Sequence, residues 1–414
     1  MNPENTTDRF KLVILALVGL IYSVGIAYLL PNLPNQRYAN DFFARWYASK
    51  MLLTTGRGLY DWANAYELSQ ITGWPQVYDF RFYYPASLLI FTAPLSLLPY
   101  EIAVTFWIIF GLWCLWLSMV IFARLLNPTF SVNRLTWLLL LMTTSVPVLQ
   151  HTVYAQFNSL VAFALALTYY GLYRQKYLLA GVCAGAMLFK PQMALVTILT
   201  LLIWSGLRRE RRLFWLGLAL TVALLWAVPE LLEPNWVVTF AQGLSSYPPV
   251  LSIVDRVWNP YQLVSLGLVG ITVGLAVRLR AYPAHSIQFS GLLAWTVCLT
   301  ALIMPIFGML NIVLMGPVLV ILLHGFEALY PAYSRWVWWS FIVFFIAGLA
   351  AFITPLVVSG PTGVHISAAE AVYRFTMPVW LGLLTWPLML GAHAAPLSSE
   401  ASGHSLPGSM ALGR

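Results

Sequence analysis

Two acidic residues in a stretch of mixed aromatic and basic character are where chemistry could start. Asp41 opens the run Asp-Phe-Phe-Ala-Arg-Trp-Tyr-Ala-Ser-Lys, and Asp61 follows Gly-Arg-Gly-Leu-Tyr and precedes Trp62. A positioned carboxylate can take the proton of an attacking hydroxyl as a bond forms, typically a contribution of about 10²–10⁴-fold. An aspartate just ahead of a helix can also cap it, because its oxygen accepts from the orphan N–H groups of the first turn. On residue type alone both readings stand for Asp41, and Asp61 reads as a cap. Lys190 sits in a short break, Phe189-Lys190-Pro191-Gln192, between two apolar stretches. A lysine there is costly unless it meets an anion, reaches a cavity or snorkels to an interface. The first case makes it a phosphate ligand. Arg374, at the start of the last apolar stretch, could serve the same end or anchor that stretch at the interface. His151, Gln156 and Asn158 lie at the ends of neighbouring apolar stretches, where amides could hydrogen-bond sugar hydroxyls or bridge helices. His365 and Arg256 fall in later loops. No His, Asp or Glu cluster has metal-ligand spacing, and there is no glycine-rich phosphate loop or nucleophile triad pattern. Neither a metal nor a cofactor is expected.

The elements that must position these residues are membrane helices. Of the 414 residues 60% are hydrophobic and 9% charged, against about 25% charged in a soluble chain. Apolar runs of about 17–25 residues recur along the whole length, as roughly 30 Å of hydrocarbon requires. The expected fold is all-α: one polytopic helical bundle over residues 1–394, with about 12 transmembrane helices. Residues 31–100 form a long outer loop carrying interfacial helices, and residues 395–414 a disordered cytoplasmic tail. The net charge of +8 suggests topology rather than nucleic acid, because the cations cluster between spans, as in Arg208-Arg209-Glu210-Arg211-Arg212. Cys114, Cys183 and Cys298 lie inside apolar runs and read as small buried hydrophobes. The stretch Ala86–Leu98, about 13 residues, is too short for a comfortable span. Crossing there would also place Arg124, Arg134, Arg174 and Lys176 outside, so it is expected to lie along or dip into the outer interface. Leu135–Leu149 is expected as one span, and Leu178–Leu188 with Met193–Leu207 as a hairpin of two.

The spacing of several motifs resembles a known family. Asp41-Phe42, Gly56, Leu59-Tyr60-Asp61, Phe82-Tyr83-Tyr84-Pro85, Pro94-Leu95, Leu98-Pro99 and Trp107 follow the order found in glycosyltransferase family 87. Ala155-Gln156-Phe157-Asn158 is similar to the family's Gly-Gln-x-Asn motif, and Ala180-Gly181 with Lys190-Pro191 to its Ala-Gly and Lys-x-x-Pro segment. The likeness covers roughly the first half of the chain. Ala155 stands for the glycine, Ala86 for a second proline, Gln192 where proline is frequent, and Asn311 where many members carry histidine.

The resemblance implies a GT-C fold and a polyprenyl-phosphate-mannose-dependent α-mannosyltransferase. It makes Asp41, the matching acidic position, the catalytic base. Lys190 and Arg374 would bind the donor phosphate, and Gln156, Asn158, His151 and Asn311 the sugar or acceptor. Attack opposite the leaving phosphate would invert the anomeric centre. The partners implied are a polyprenyl-phosphate sugar donor, a lipid or glycan acceptor and membrane lipids, with no nucleic acid. The location implied is a bacterial cell membrane, multi-pass, with the active site on the outer face. The rival is a transporter or lipid flippase. Those usually show internal repeats and acids in mid-span, whereas here the acids cluster in the outer loops, which favours the enzyme.

Overall fold

The computed structural model describes residues 3–29, 41–73, 77–127, 130–206, 208–245, 260–304, 309–358 and 368–391. Among the described residues every regular element is helical. Residues 31–40 of the expected outer loop and the expected tail, 395–414, fall outside the described residues.

After α1 (Pro3–Leu29) come three short helices, α2 (Asp41–Thr55), α3 (Trp62–Thr72) and α4 (Leu89–Ser96). Asp61 caps α3, its carboxylate accepting from Ala63 N at 2.8 Å, and Gly73 ends it with a φ of 69° that glycine takes without strain. α2 and α4 lie against each other: Ser49 Oγ meets Thr92 Oγ1 at 2.7 Å, and Trp46 Nε1 donates to Leu95 O at 3.1 Å. With the 3-10 turn before it, α4 forms an apolar helix over Ala86–Ser96. Its rise of about 18 Å is too short to cross about 30 Å of hydrocarbon by itself.

α5 (Tyr100–Leu126) and α8 (Asn158–Tyr173) run side by side, so close that a Cβ on Gly111 would lie 3.1 Å from Ser159 Oγ. Between them, the stretch Leu135–Leu149 is not one helix. It divides into α6 (Val132–Thr144) and α7 (Val146–Val153), bent by 56°. Pro147 has no N–H for the Thr143 carbonyl, and its ring crowds that carbonyl. Ser145 is extended, at ψ 146°, and its hydroxyl caps the new helix at Val148 N, 3.4 Å away.

α9 (Tyr177–Ala186) tightens into a 3-10 turn, Met187–Phe189, before Lys190 interrupts the helix and α10 (Pro191–Gly206) begins. α9 packs on α8 and on α11 (Arg212–Leu232), whereas α10 packs on α13 (Pro260–Leu279) and α14 (Ile287–Ile303). The seam between α9 and α11 is backbone on backbone. A Cβ added to Gly181 would fall 2.0 Å from Phe214 O, and one on Gly217 would fall 2.2 Å from Leu178 O. The remaining helices are α12 (Trp236–Ser245), α15 (Met315–Leu329), α16 (Pro331–Val358) and α17 (Ala368–Leu390).

Among the described residues four helices are long and apolar enough to cross a membrane: Tyr100–Leu126, Arg209–Leu232, Asn311–Leu329 and Pro331–Ala350. The bent pair α6–α7 would make a fifth. The other apolar helices among the described residues, such as Tyr177–Phe189 and Ile287–Ile303, have 10–17 residues. Against the expectation of about 12 spans, four or five helices among the described residues therefore have full crossing length. The 56° bend between α6 and α7 and the 3-10 turn Met187–Phe189 between α9 and α10 keep those neighbouring apolar helices short. Such a set of apolar helices marks a membrane protein. Cys114, Cys183 and Cys298 are buried and free.

Candidate active site

The turn that ends α7 positions the site. The Gln156 N–H reaches back to His151 O and the Ala155 N–H to Thr152 O, both at 3.0 Å, with Ala155 at φ 46°. This is a Schellman closure, in which the residue just past the helix end turns left-handed. Glycine takes that conformation freely, whereas a residue with a Cβ pays about 1–2 kcal/mol. Neighbours hold the strained turn. Trp107 Nε1 donates to Ala155 O at 3.0 Å, and the Asp41 N–H donates to Tyr154 O at 3.1 Å. One turn thus fixes the start of α2 and aims Gln156 at it.

Asp41 is the first residue of α2 rather than the residue before it. Among the described residues its carboxylate meets side chains and no N–H of its own first turn. Gln156 Nε2 donates to Asp41 Oδ2, and Arg45, one turn along, faces Oδ1 with Nη1 at 3.8 Å. The other end of the Gln156 amide, Oε1, accepts from Lys190 Nζ at 3.1 Å and from the Tyr84 hydroxyl at 3.4 Å. Charge fixes the orientation of that amide, since its NH₂ must face the carboxylate and its oxygen the ammonium. Three residues that the sequence singled out, Asp41, Gln156 and Lys190, therefore form one chain of polar contacts.

Burial divides the charges. Arg45 and Lys190 are 4% and 3% exposed, while Asp41 keeps 36% of its side chain accessible. Burial opposes the charge on Lys190, the Asp41 carboxylate favours it, and Arg45 opposes it. Beneath them the Tyr84 ring carries both cations, with Arg45 Cζ 4.8 Å and Lys190 Nζ 5.5 Å from its centroid. Tyr84 rests on Phe157 at 5.3 Å, Phe157 on Trp107 at 4.6 Å, and Trp107 on Phe42 at 5.5 Å. Such a stack of buried rings makes a stiff floor.

The other candidates take separate places. Asn158 Nδ2 donates to Asn311 Oδ1 at 2.6 Å, which brings together two of the candidates from far apart in the chain. His151 Nε2 lies 3.2 Å from Ser159 Oγ. Arg374 is on α17, but its side chain falls outside the described residues, as do His365 and Arg256 entirely and the side chain of Asp79. Asp61, Glu230 and Glu233 bind backbone: Asp61 caps α3, Glu230 Oε1 accepts from Asn235 N at 2.6 Å, and Glu233 Oε2 accepts from Leu59 N at 3.0 Å. Burial raises the Glu233 carboxyl above the ordinary carboxylate range, and burial likewise raises the Tyr60 phenol. The Tyr60 hydroxyl donates to Tyr84 O at 2.9 Å, tying this loop to the floor of the site.

Sequence reasoning gave Arg45 no place at the site, although its spacing of four from Asp41 puts both on one helix face. It quoted Tyr84 only as part of a motif.

The comparisons with known proteins bear on this geometry. Residues 82–252 match the model of glycosyltransferase family 87. The match indicates a glycosyltransferase. The family 87 segment holds Tyr84, His151, Gln156, Asn158 and Lys190, while Asp41, Arg45, Asn311 and Arg374 lie outside it. No curated protein and no solved structure matches the chain.

Proposed function

We propose that this glycosyltransferase moves a hexose, mannose by the family likeness, from a polyprenyl-phosphate donor to a hydroxyl of a lipid-linked or glycolipid acceptor. Asp41 is the general base. The acceptor oxygen bonds to the anomeric carbon as its proton passes to Asp41, and the carbon–oxygen bond to phosphate breaks with its electron pair leaving on the phosphate. Attack from the opposite face inverts the centre, so a β-linked donor gives an α product. The observation that carries this reading is Gln156. A single amide joins an accessible carboxylate to a buried ammonium, and a base beside a phosphate-binding cation is what this reading asks of one reacting centre.

Lys190 holds the donor phosphate in this reading, with Arg374 as a second ligand, and no metal or cofactor takes part. Gln156 has both amide ends engaged by protein, so its part is to keep base and cation in register. The Asn158–Asn311 pair and His151 supply the polar wall beside the sugar and acceptor. The protein crosses a bacterial cell membrane several times, its shorter apolar helices completing the bundle, and the site opens on the outer face. Charge alternation supports that orientation, since Arg208–Arg212 and the other basic loops belong inside.

The test is direct. Purified protein incubated with labelled polyprenyl-phosphate-mannose and a lipid extract should move label into a glycolipid fraction, and the Asp41→Asn protein should not. Label that crosses a vesicle membrane with no new glycosidic bond would replace this reading with a transporter.

A further inference from the structure

A buried guanidinium with five N–H groups is costly unless those groups find acceptors. Arg45 is such a group. It is 4% exposed, and among the described residues neither Nε nor Nη1 has a hydrogen-bond partner. Its ion pair with Asp41 spans 3.8 Å, beyond hydrogen-bond reach, and its guanidinium carbon sits 4.8 Å from the Tyr84 ring centroid. Lys190, on the same ring, is buried too; it donates to the neutral oxygen of Gln156, and the Asp41 carboxylate favours its charge. The cluster therefore holds two buried cations against one carboxylate, with guanidinium hydrogens left over.

We propose that Arg45 is a direct ligand of the donor phosphate and completes a two-cation seat with Lys190, an inference that rests on the glycosyl-transfer reading above. A planar guanidinium offers two parallel N–H groups that match two phosphate oxygens, which an ammonium cannot do.

Charge counting through the reaction supports the pairing. Before transfer the donor is a phosphodiester with one negative charge, and Asp41 supplies a second, so two cations leave the site neutral. As the sugar departs, the phosphate becomes a monoester and gains a second charge, while Asp41 takes the acceptor proton and becomes neutral. The two cations again balance two negative charges. Among the cations packed around Asp41, leaving out Arg374, whose side chain falls outside the described residues, Lys190 without Arg45 would leave one negative charge unbalanced throughout, in surroundings where burial makes that expensive. Arg45 therefore meets charge that grows in the transition state, the condition for raising turnover as well as binding.

The experiment uses the full chain in lipid nanodiscs, as wild type, Arg45→Gln and Arg45→Lys. Four readouts are taken: binding of sugar-free polyprenyl phosphate, competition by inorganic phosphate, transfer from labelled polyprenyl-phosphate-mannose, and the thermal midpoint. Arg45→Gln should weaken polyprenyl phosphate binding by about 10- to 100-fold and lower transfer by more than it weakens binding. Its thermal midpoint should stay the same or rise, because a poorly partnered buried charge has been removed. Arg45→Lys should restore part of the binding, since it returns the charge without the fork. Unchanged binding and transfer in Arg45→Gln would overturn the proposal and leave Arg45 as a cation stacked on Tyr84. So would a large fall in thermal midpoint in both variants, which marks a structural role. Inorganic phosphate that binds as tightly as the lipid would assign the seat to free phosphate and overturn the donor assignment. Wild-type protein that neither binds polyprenyl phosphate nor transfers sugar would sink the glycosyl-transfer reading itself, a different failure from equal binding by wild type and variant.

Discussion

The beginnings of α2 and α3 carry the same residue in opposite uses. Asp61 bends back to its own helix and accepts from Ala63 N, while Asp41 turns outward to Gln156 and Arg45. In sequence the two look alike, an aspartate ahead of a short aromatic helix. The difference comes from what stands opposite. Among the described residues the side-chain hydrogen bond of Asp61 is to its own helix, whereas the α7–α8 turn presents an amide to Asp41 and already takes its N–H at Tyr154 O. A cap is a local solution, and a base needs a partner from elsewhere in the fold.

That contrast breaks most sharply on one pair of substitutions. Asp41→Asn should lower transfer by about 10²–10⁴-fold with donor binding nearly intact, whereas Asp61→Asn should leave transfer unchanged. Rate measurements on the two proteins side by side decide it; equal losses, or none at Asp41, would make both residues caps. Lys190→Gln should cost about 10- to 100-fold and should raise the donor concentration needed for half-maximal rate, because a contact to phosphate exists before the transition state as well. Titrating the rate against donor separates that pattern from loss of the base.

The smaller effects concern stability. Asp61→Ala should cost about 1 kcal/mol while Asp61→Asn costs little, since asparagine caps as well as aspartate. Ala155→Gly should stabilise by up to about 1 kcal/mol, because it removes the Cβ from a left-handed turn. Thermal midpoints of the three variants test both statements. At Glu233 the sign follows from burial. Its folded-state carboxyl is raised, so the proton is held more tightly folded than unfolded, and the stability it contributes is present at low pH and lost as pH rises through the folded value. Glu233→Gln keeps an acceptor for Leu59 N and should flatten that part of the pH profile of the thermal midpoint; an unchanged slope would count against it.

Much of the site was legible in the chain, and what was not has a physical cause. Helical class followed from apolar run length, Gln156 and Lys190 from polar side chains at the edges of apolar runs, and Asp41 from the family resemblance, since alone it reads equally as a helix cap. The break between α6 and α7 was missed because hydropathy does not record direction: a bent helix and a straight one bury the same residues. Ser145-Val146-Pro147 held the signal, through the missing N–H of Pro147. Arg45 reads in sequence as an interfacial cation, and its burial is created by Tyr84, which lies far along the chain and cannot be paired with it by local pattern. The hydrogen bond from Asn158 to Asn311 is of the same kind, a contact of tertiary structure alone.

The glycine seam described above also says where a lipid cannot go. Along α9 and α11 a single methyl on Gly181 or Gly217 would collide with a carbonyl of the other helix. Where one methyl cannot stand, a chain of methylenes cannot thread, so that flank of α11 is shut to any isoprenoid tail. Its other flank, toward α10, is an open apolar groove lined by Leu202, Trp215, Leu218, Val222 and Trp226. The same helix is thus a sealed wall on one side and bare hydrocarbon shoreline on the other.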